Sequence, residues 1–108
     1  MTQASVEIAP LTEALMPELA DLWVAAWTQA MPQIDFEARR PWLKAHLEGL
    51  HQQAYVTRCA LAATGALAGF VTLHPRSGEL DQIAVAPWAA RRGLGRLLLV
   101  EARALAPG

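Results

Sequence analysis

One segment near the end of the chain, Ala84–Val100, constrains the fold more than any other. Its sequence, AVAPWAARRGLGRLLLV, passes from apolar residues to a proline, then through two arginines and a Gly-Leu-Gly to a run of leucines. Apolar residues bounded by proline and glycine are typical of a strand that ends in a loop, and the leucines recur at helical spacing. The segment therefore predicts the end of a strand, a glycine loop and the start of a helix.

This glycine loop has the properties of an anion site. The start of a helix leaves N–H groups unpaired and carries partial positive charge. Gly93 and Gly95 lack Cβ atoms, so a ligand can approach the backbone. Arg91, Arg92 and Arg96 place three of the chain's nine basic residues within six positions. A phosphate or pyrophosphate is the natural occupant.

Two common phosphate motifs do not fit the loop. A dinucleotide fingerprint requires a third glycine where this chain has Leu98, and its acidic residue, about 20 positions later, would fall beyond Gly108. A Walker loop requires Gly-Lys-Ser/Thr, which the sequence lacks. On the glycines alone, a tight turn with solvated arginines explains the pattern equally well.

The rest of the chain predicts the order strand, helix, helix, three strands, helix. The first strand covers Ser5–Ala9. The last three cover Ala54–Ala63, Ala66–Leu73 and Glu79–Ala86, the first two joined at Thr64-Gly65. Apolar residues at helical spacing mark the first two helices: Leu15, Leu19, Leu22, Trp23, Ala26 and Trp27, then Trp42, Leu43, His46, Leu47 and Leu50. The tryptophans on these stripes are expected to pack in the core.

Composition limits the classes of function. The 108 residues form one domain, 1–108, and a net charge of −1 gives no bulk attraction to nucleic acid or to an anionic membrane. No apolar run reaches the roughly 20 residues that span a bilayer, and the first residues do not resemble a signal peptide. The single cysteine, Cys59, excludes an internal disulfide and favours a cytoplasmic location for the protein. Its side chain is expected to fill the core.

The segment LDQIAVAPWAARRGLGRLLL resembles the coenzyme A-binding motif of the GNAT N-acetyltransferase superfamily. That motif is a strand ending in Val-x-Pro, a Q/R-x-x-G-x-G/A loop and a helix. Val85-Ala86-Pro87 and Gly93-Leu94-Gly95 lie at the family's spacing, with Ala90 at the Q/R position. The upstream order of elements is similar too, so the resemblance covers nearly the whole chain.

The resemblance implies an α/β fold, a mostly antiparallel sheet flanked by helices, without the family's carboxy-terminal strands. In the family a further strand follows the third helix, so the strand LDQIAVA, Leu80–Ala86, would have an unpaired edge. The domain is then incomplete at its C-terminus, or a partner subunit in a homodimer covers that edge. We expect the isolated 108 residues to be oligomeric or poorly soluble, and nearly inactive.

The implied cofactor is acetyl-CoA, with no metal. Family members hold the pantetheine arm on the backbone of the strand before the loop, here Ile83, Ala84 and Val85. The pyrophosphate would lie on residues 90 to 96, which are Ala90, Arg91, Arg92, Gly93, Leu94, Gly95 and Arg96. No histidine or cysteine has metal-ligand spacing.

Acetyl transfer to an amine requires removal of a proton from the amine, which a carboxylate can accept. Glu79 and Asp81 lie two residues apart in the predicted strand, so they are expected to share a face. Glu79 is six residues before Val85, where some family members carry their general base; a solvated strand end explains both acids equally well. Tyr55, the sole tyrosine, lies in the first half of the chain, so no general acid carries over from the family.

The implied function is transfer of an acetyl group from acetyl-CoA to an amine of a small molecule or peptide. The alternatives are a coenzyme A-binding module or inactive fragment without catalysis, and a generic phosphate-binding domain. In this fold the first two helices and their link, here about Ala30–Phe36, form the wall of the acceptor site. That link contains one acid and no run of like charge, so the sequence does not identify the acceptor molecule.

Overall fold

A computed structural model describes residues 6–90 and 93–106, and its elements follow the predicted order. Arg91 and Arg92 lie outside the described residues. The strands are β1 (Val6–Pro10), β2 (Val56–Ala62), β3 (Leu67–Leu73) and β4 (Leu80–Val85). The helices are α1 (Met16–Ala30), α2 (Arg40–Gln52) and α3 (Leu94–Leu105). Short 3-10 turns cover Glu13–Leu15, Glu37–Arg39 and Pro87–Ala89.

The strands form one antiparallel sheet in the order β1-β2-β3-β4. The predicted α/β class, an antiparallel sheet flanked by helices, is confirmed. The turn between β2 and β3 contains Gly65 with φ +89°, a conformation that favours glycine. Within the described residues β4 pairs with β3 alone, so one of its edges faces no strand.

Local signals set most helix ends. The Thr12 hydroxyl accepts a hydrogen bond from the Leu15 amide, and Pro17 and Pro41 lie in the first turns of α1 and α2. The end of α2 differs from the expectation of a strand starting at Ala54. Ala54 has φ 73°, because the closing turn of the helix continues through it, and β2 begins only at Val56.

All seven residues of β3 are buried, because helices cover both faces of the sheet. Leu94 and Leu98 of α3 pack against Gly69 on one face. On the other face, the buried Thr72 and Thr57 hydroxyls lie 2.8 Å apart, and His51 Nε2 of α2 is 2.9 Å from the Thr57 hydroxyl. Burial lowers the pKa of His51, against an opposing effect of nearby Glu48.

The helix stripes are only partly buried. Trp23 is 3% exposed, as expected, but Trp27 is 36% and Trp42 is 51% exposed. The expectation that these two pack in the core is therefore wrong. Both line an open cavity between α1 and α2 instead of the interface with the sheet.

α3 approaches the sheet closely at Gly69. A Cβ built there would lie 2.9 Å from the backbone oxygen of Ala84, 3.1 Å from Leu98 Cδ1 and 3.3 Å from Leu94 Cδ2. The first of these contacts is with β4 and the other two are with α3. A glycine at this position therefore sets the spacing among β3, β4 and α3.

Gly69→Ala is expected to lower the free energy of unfolding by about 1–3 kcal/mol, because the added methyl group forces β4 and α3 away from β3. Gly49→Ala is the matched control. No described atom lies within 4 Å of a Cβ at Gly49 in α2, and alanine there should raise stability by about 0.5–1 kcal/mol. Urea unfolding followed by circular dichroism measures both. Equal stability of Gly69→Ala and the parent protein would show that the close approach is not limiting.

Candidate active site

The glycine loop connects the end of β4 to the start of α3. Ala90 is extended, with φ −64° and ψ 152°, and Gly93 is the N-cap of α3 in the left-handed region, with φ 77°. No side chain caps α3 and no acidic residue lies in its first turn. Within the described part of the loop, the first N–H groups of α3 thus have no side-chain acceptor, which suits an anion.

Gly95 leaves open space in the first turn of α3. Among the described residues, no atom lies within 4 Å of a Cβ built at Gly95 or at Gly93. Packing within the chain therefore does not explain a glycine at position 95, in contrast to Gly69. The left-handed φ accounts for Gly93, since side chains there are strained.

β4 presents the three residues predicted to hold the pantetheine arm. Ile83, Ala84 and Val85 pair on one side with Val71, Phe70 and Gly69 of β3, respectively. On the other side, no strand of the described chain satisfies their backbone groups. Main-chain donors and acceptors along this edge can therefore pair with an extended ligand.

Asp81 is hydrogen-bonded to a histidine that the sequence analysis treated as part of an apolar stripe. Asp81 Oδ2 lies 2.9 Å from His46 Nε2, and the two side chains are 24% and 27% exposed. The imidazole stacks on Trp42, with ring centroids 4.6 Å apart and an interplanar angle of 11°. An ionised carboxylate only accepts hydrogen bonds, so His46 Nε2 carries the proton, and Nδ1 of the neutral ring is its acceptor atom.

The two candidate carboxylates do not both lie within β4, although the sequence places both in the predicted strand. Glu79 precedes β4. The pairing register between β3 and β4 shifts by one residue, since Leu73 pairs with Leu80 but Thr72 pairs with Gln82. This one-residue bulge at Asp81 interrupts the alternation of side chains. The structure therefore corrects the predicted strand Glu79–Ala86 to Leu80–Val85.

Tyr55 lies near both acids. Partial desolvation and the nearby carboxylates of Glu79 and Asp81 raise the pKa of its phenol. Its ring meets His74 edge-on, with centroids 5.0 Å apart. The sequence analysis missed Tyr55 and His46 as neighbours of the acids. No local pattern joins them, since 35 residues separate His46 from Asp81.

A cavity of about 680 Å³ opens beside Trp42, the ring that stacks on His46. We call it the aromatic cavity; its main lining side chains are Trp23, Trp27, Phe36, Arg39, Trp42 and Gln82. The predicted acceptor wall contributes to it through Met31, Ile34 and Phe36.

The amino-acid sequence matches a family model, the acetyltransferase (GNAT) family, over residues 12–108. The chain belongs to the GNAT acetyltransferase family. The match includes β4, the glycine loop and α3, the elements on which the resemblance was based. No curated protein matches the chain.

Solved structures of GNAT proteins share the fold. The chain is similar to the PaiA N-acetyltransferase of Thermoplasma acidophilum in complex with coenzyme A (TM-score 0.74, 20% identity, 94% of this chain and 71% of that one). It is also similar to a GNAT acetyltransferase of Staphylococcus aureus Mu50 (0.72, 15%, 91% and 64%). A third is a GNAT acetyltransferase of Brucella melitensis in complex with acetyl-CoA (0.68, 17%, 94% and 68%). The chain thus spans 64% to 71% of these three proteins.

Two further features of this GNAT chain bear on its chemistry. Among residues 6–90 and 93–106, no group of three or more His, Cys, Asp or Glu side chains is arranged to hold a metal ion. None of the described helices is long and apolar enough to cross a membrane.

Cys59 is fully buried, and this burial raises the pKa of its thiol to about 11. At pH 8 only about one molecule in a thousand should carry the reactive thiolate. The native protein is therefore expected to resist a disulfide reagent such as DTNB at pH 8, and to react in urea. Stoichiometric labelling of the native protein at that pH would contradict the assignment of Cys59 to the core.

Proposed function

We propose that this GNAT chain transfers the acetyl group of acetyl-CoA to a primary amine of a small molecule or peptide. One observation carries the proposal. In a chain of this family, a strand with an unpaired edge, β4, is followed by a helix whose start at Gly93 has no side-chain cap in the described residues. Two of the similar proteins were solved in complex with coenzyme A or acetyl-CoA. The proposed function assigns the same ligand to this chain, at the end of β4 and the start of α3.

The residues of the loop fit a pyrophosphate. The first N–H groups of α3 have no side-chain acceptor in the described loop, and the open space at Gly95 allows an oxygen to reach them. Ala90, Leu94 and Arg96 complete this proposed phosphate site. Arg91 and Arg92 are proposed to add charge to it from outside the described residues.

β4 is proposed to position the pantetheine arm. The backbone groups of Ile83, Ala84 and Val85 on the unpaired edge donate and accept hydrogen bonds as another strand would. This arrangement runs the arm from the glycine loop along the strand toward Asp81, which lies at the other end of β4. The reactive end then lies beside the proposed proton acceptors.

Acetyl-CoA supplies a thioester whose C–S bond breaks as the amine forms its N–C bond, and coenzyme A leaves as the thiol. The chain must accept the proton that the amine loses, because a protonated amine has no lone pair for attack. A typical alkylamine is more than 99% protonated at neutral pH. A positioned base is therefore the main contribution expected from the side chains.

Asp81, together with His46, is the proposed proton acceptor on the side of the aromatic cavity. Trp42 and Gln82 both line this cavity; Trp42 stacks on His46 and Gln82 follows Asp81 in β4. Asp81 holds the imidazole by its Nε2 proton and stabilises the charge that the ring gains when Nδ1 accepts a proton. Glu79 remains the second proposed base, beside Tyr55.

Gly95→Glu is expected to weaken acetyl-CoA binding about 10- to 100-fold, because its carboxylate repels the pyrophosphate and fills the open space. Ala104→Glu, with the same charge on an exposed position of α3, is the control and should bind like the parent. Calorimetry measures both. Unchanged binding by Gly95→Glu would remove the ligand from this loop.

Asp81→Asn keeps the shape of the side chain but removes the carboxylate that stabilises the charged His46 ring, so kcat should fall about 100-fold or more. Glu79→Gln is made in parallel, and the pH–rate profiles are compared. The acidic limb of the profile should shift to lower pH in Asp81→Asn, because the imidazolium loses its stabilising carboxylate, and should stay in place in Glu79→Gln. The reverse result would make Glu79 the base, and acetyl-CoA binding without any turnover would favour a non-catalytic module.

A further inference from the structure

The aromatic cavity has walls that suit one class of acceptor. Its rings form a continuous series: Trp27 and Phe36 centroids are 5.9 Å apart, and Phe36 and Trp23 centroids are 5.5 Å apart. The series continues from Trp23 to Trp42 at 6.1 Å. Such a series of rings presents faces and edges against which another planar ring packs favourably.

Two of these rings are unusually exposed for tryptophan. Trp42 is 51% and Trp27 is 36% exposed, whereas Trp23 and Phe36 are buried behind them. The inner pair therefore fixes the walls, and the outer pair presents apolar surface to the cavity. Its volume of about 680 Å³ lies within the range of small-molecule sites. A ligand placed there would remove apolar surface from water at little cost in ordering the walls.

The charge of the lining opposes a polycation. Among the described residues that line the cavity, Arg39 carries the one formal charge and no carboxylate is present. The Arg39 guanidinium lies 5.5 Å from the centre of the Phe36 ring, near the rim. A second ammonium group on the ligand would meet this positive charge without a partner.

The proposed proton acceptor adjoins two residues of the cavity lining, Trp42 and Gln82. Gln82 contributes to the lining, and its Oε1 accepts a hydrogen bond from Trp23 Nε1 at 3.3 Å, which fixes the side chain. Its neighbour Asp81 bonds to His46, and His46 stacks on the lining residue Trp42. An apolar body in the cavity thus places a short amine arm toward Asp81.

We propose that the acceptor is a primary amine on a single planar aromatic body, and that the aromatic cavity binds this body. The inference rests on the proposed acetyl transfer for its chemistry, but the binding itself does not require turnover. Trp42 and Trp27 then determine acceptor specificity, and Arg39 excludes ligands with several ammonium groups.

Calorimetry on the whole chain, with and without saturating coenzyme A, tests the proposal. The probes are 2-phenylethylamine, n-butylamine and spermidine, each carrying at least one primary amine. We expect 2-phenylethylamine to bind about tenfold more tightly than either of the others, since it alone places a ring between the tryptophans. Equal or tighter binding of n-butylamine or spermidine would overturn the acceptor class.

Variants then locate the site. Trp42→Ala should weaken 2-phenylethylamine binding about tenfold, Trp27→Ala should weaken it less, and Trp42→Phe should retain most of the affinity. Trp88→Ala is the matched control, because Trp88 is also 51% exposed but does not line the cavity. Far-UV circular dichroism checks that each variant is folded. An effect of Trp88→Ala equal to that of Trp42→Ala would contradict the assignment.

The proposed acetyl transfer and the proposed acceptor class can be contradicted separately. Selective binding of 2-phenylethylamine by a chain that transfers no acetyl group would uphold the cavity and reject the proposed function. Acetyl transfer that prefers n-butylamine or spermidine would uphold the function and overturn the acceptor class. Absence of binding by any of the three amines, with coenzyme A present, would also overturn it.

Discussion

The close packing of α3 on β3 at Gly69 determines where the candidate site lies. Since a Cβ at this position would meet both the Ala84 carbonyl and two leucines of α3, the helix and β4 are held at one fixed spacing. That spacing brings the start of α3 to the end of β4, with the glycine loop between them. A core contact thus positions backbone groups that are not themselves part of the core.

A second contact connects the helical layer to the same strand. His46 of α2 bonds to Asp81 in the bulge of β4, and Trp23 of α1 bonds to Gln82 one residue later. Because both bonds end on β4, the aromatic cavity and the unpaired strand edge meet there. In the proposed function the thioester and the amine would then meet near Asp81 and Gln82, because the reacting atoms must be brought close together.

The sequence predicts the elements well and the side-chain partners poorly. Helical and strand periodicities, with Pro17, Pro41 and Thr64-Gly65 as boundaries, are local signals, and the observed element order follows them. The exposure of Trp42 and its stacking on His46 depend on how α1 and α2 cross, which a helical stripe does not contain. The bulge at Asp81 is likewise a property of two paired strands, so the sequence of one strand does not predict it.

A titration followed by amide NMR can show whether the β4 edge and the glycine loop bind coenzyme A. Added coenzyme A should shift the amide signals of Gly93, Gly95 and Ile83–Val85 most strongly. Shifts confined instead to residues 11–20 and 40–51, which line a separate groove between α1 and α2, would contradict this assignment. So would an unchanged spectrum at millimolar coenzyme A.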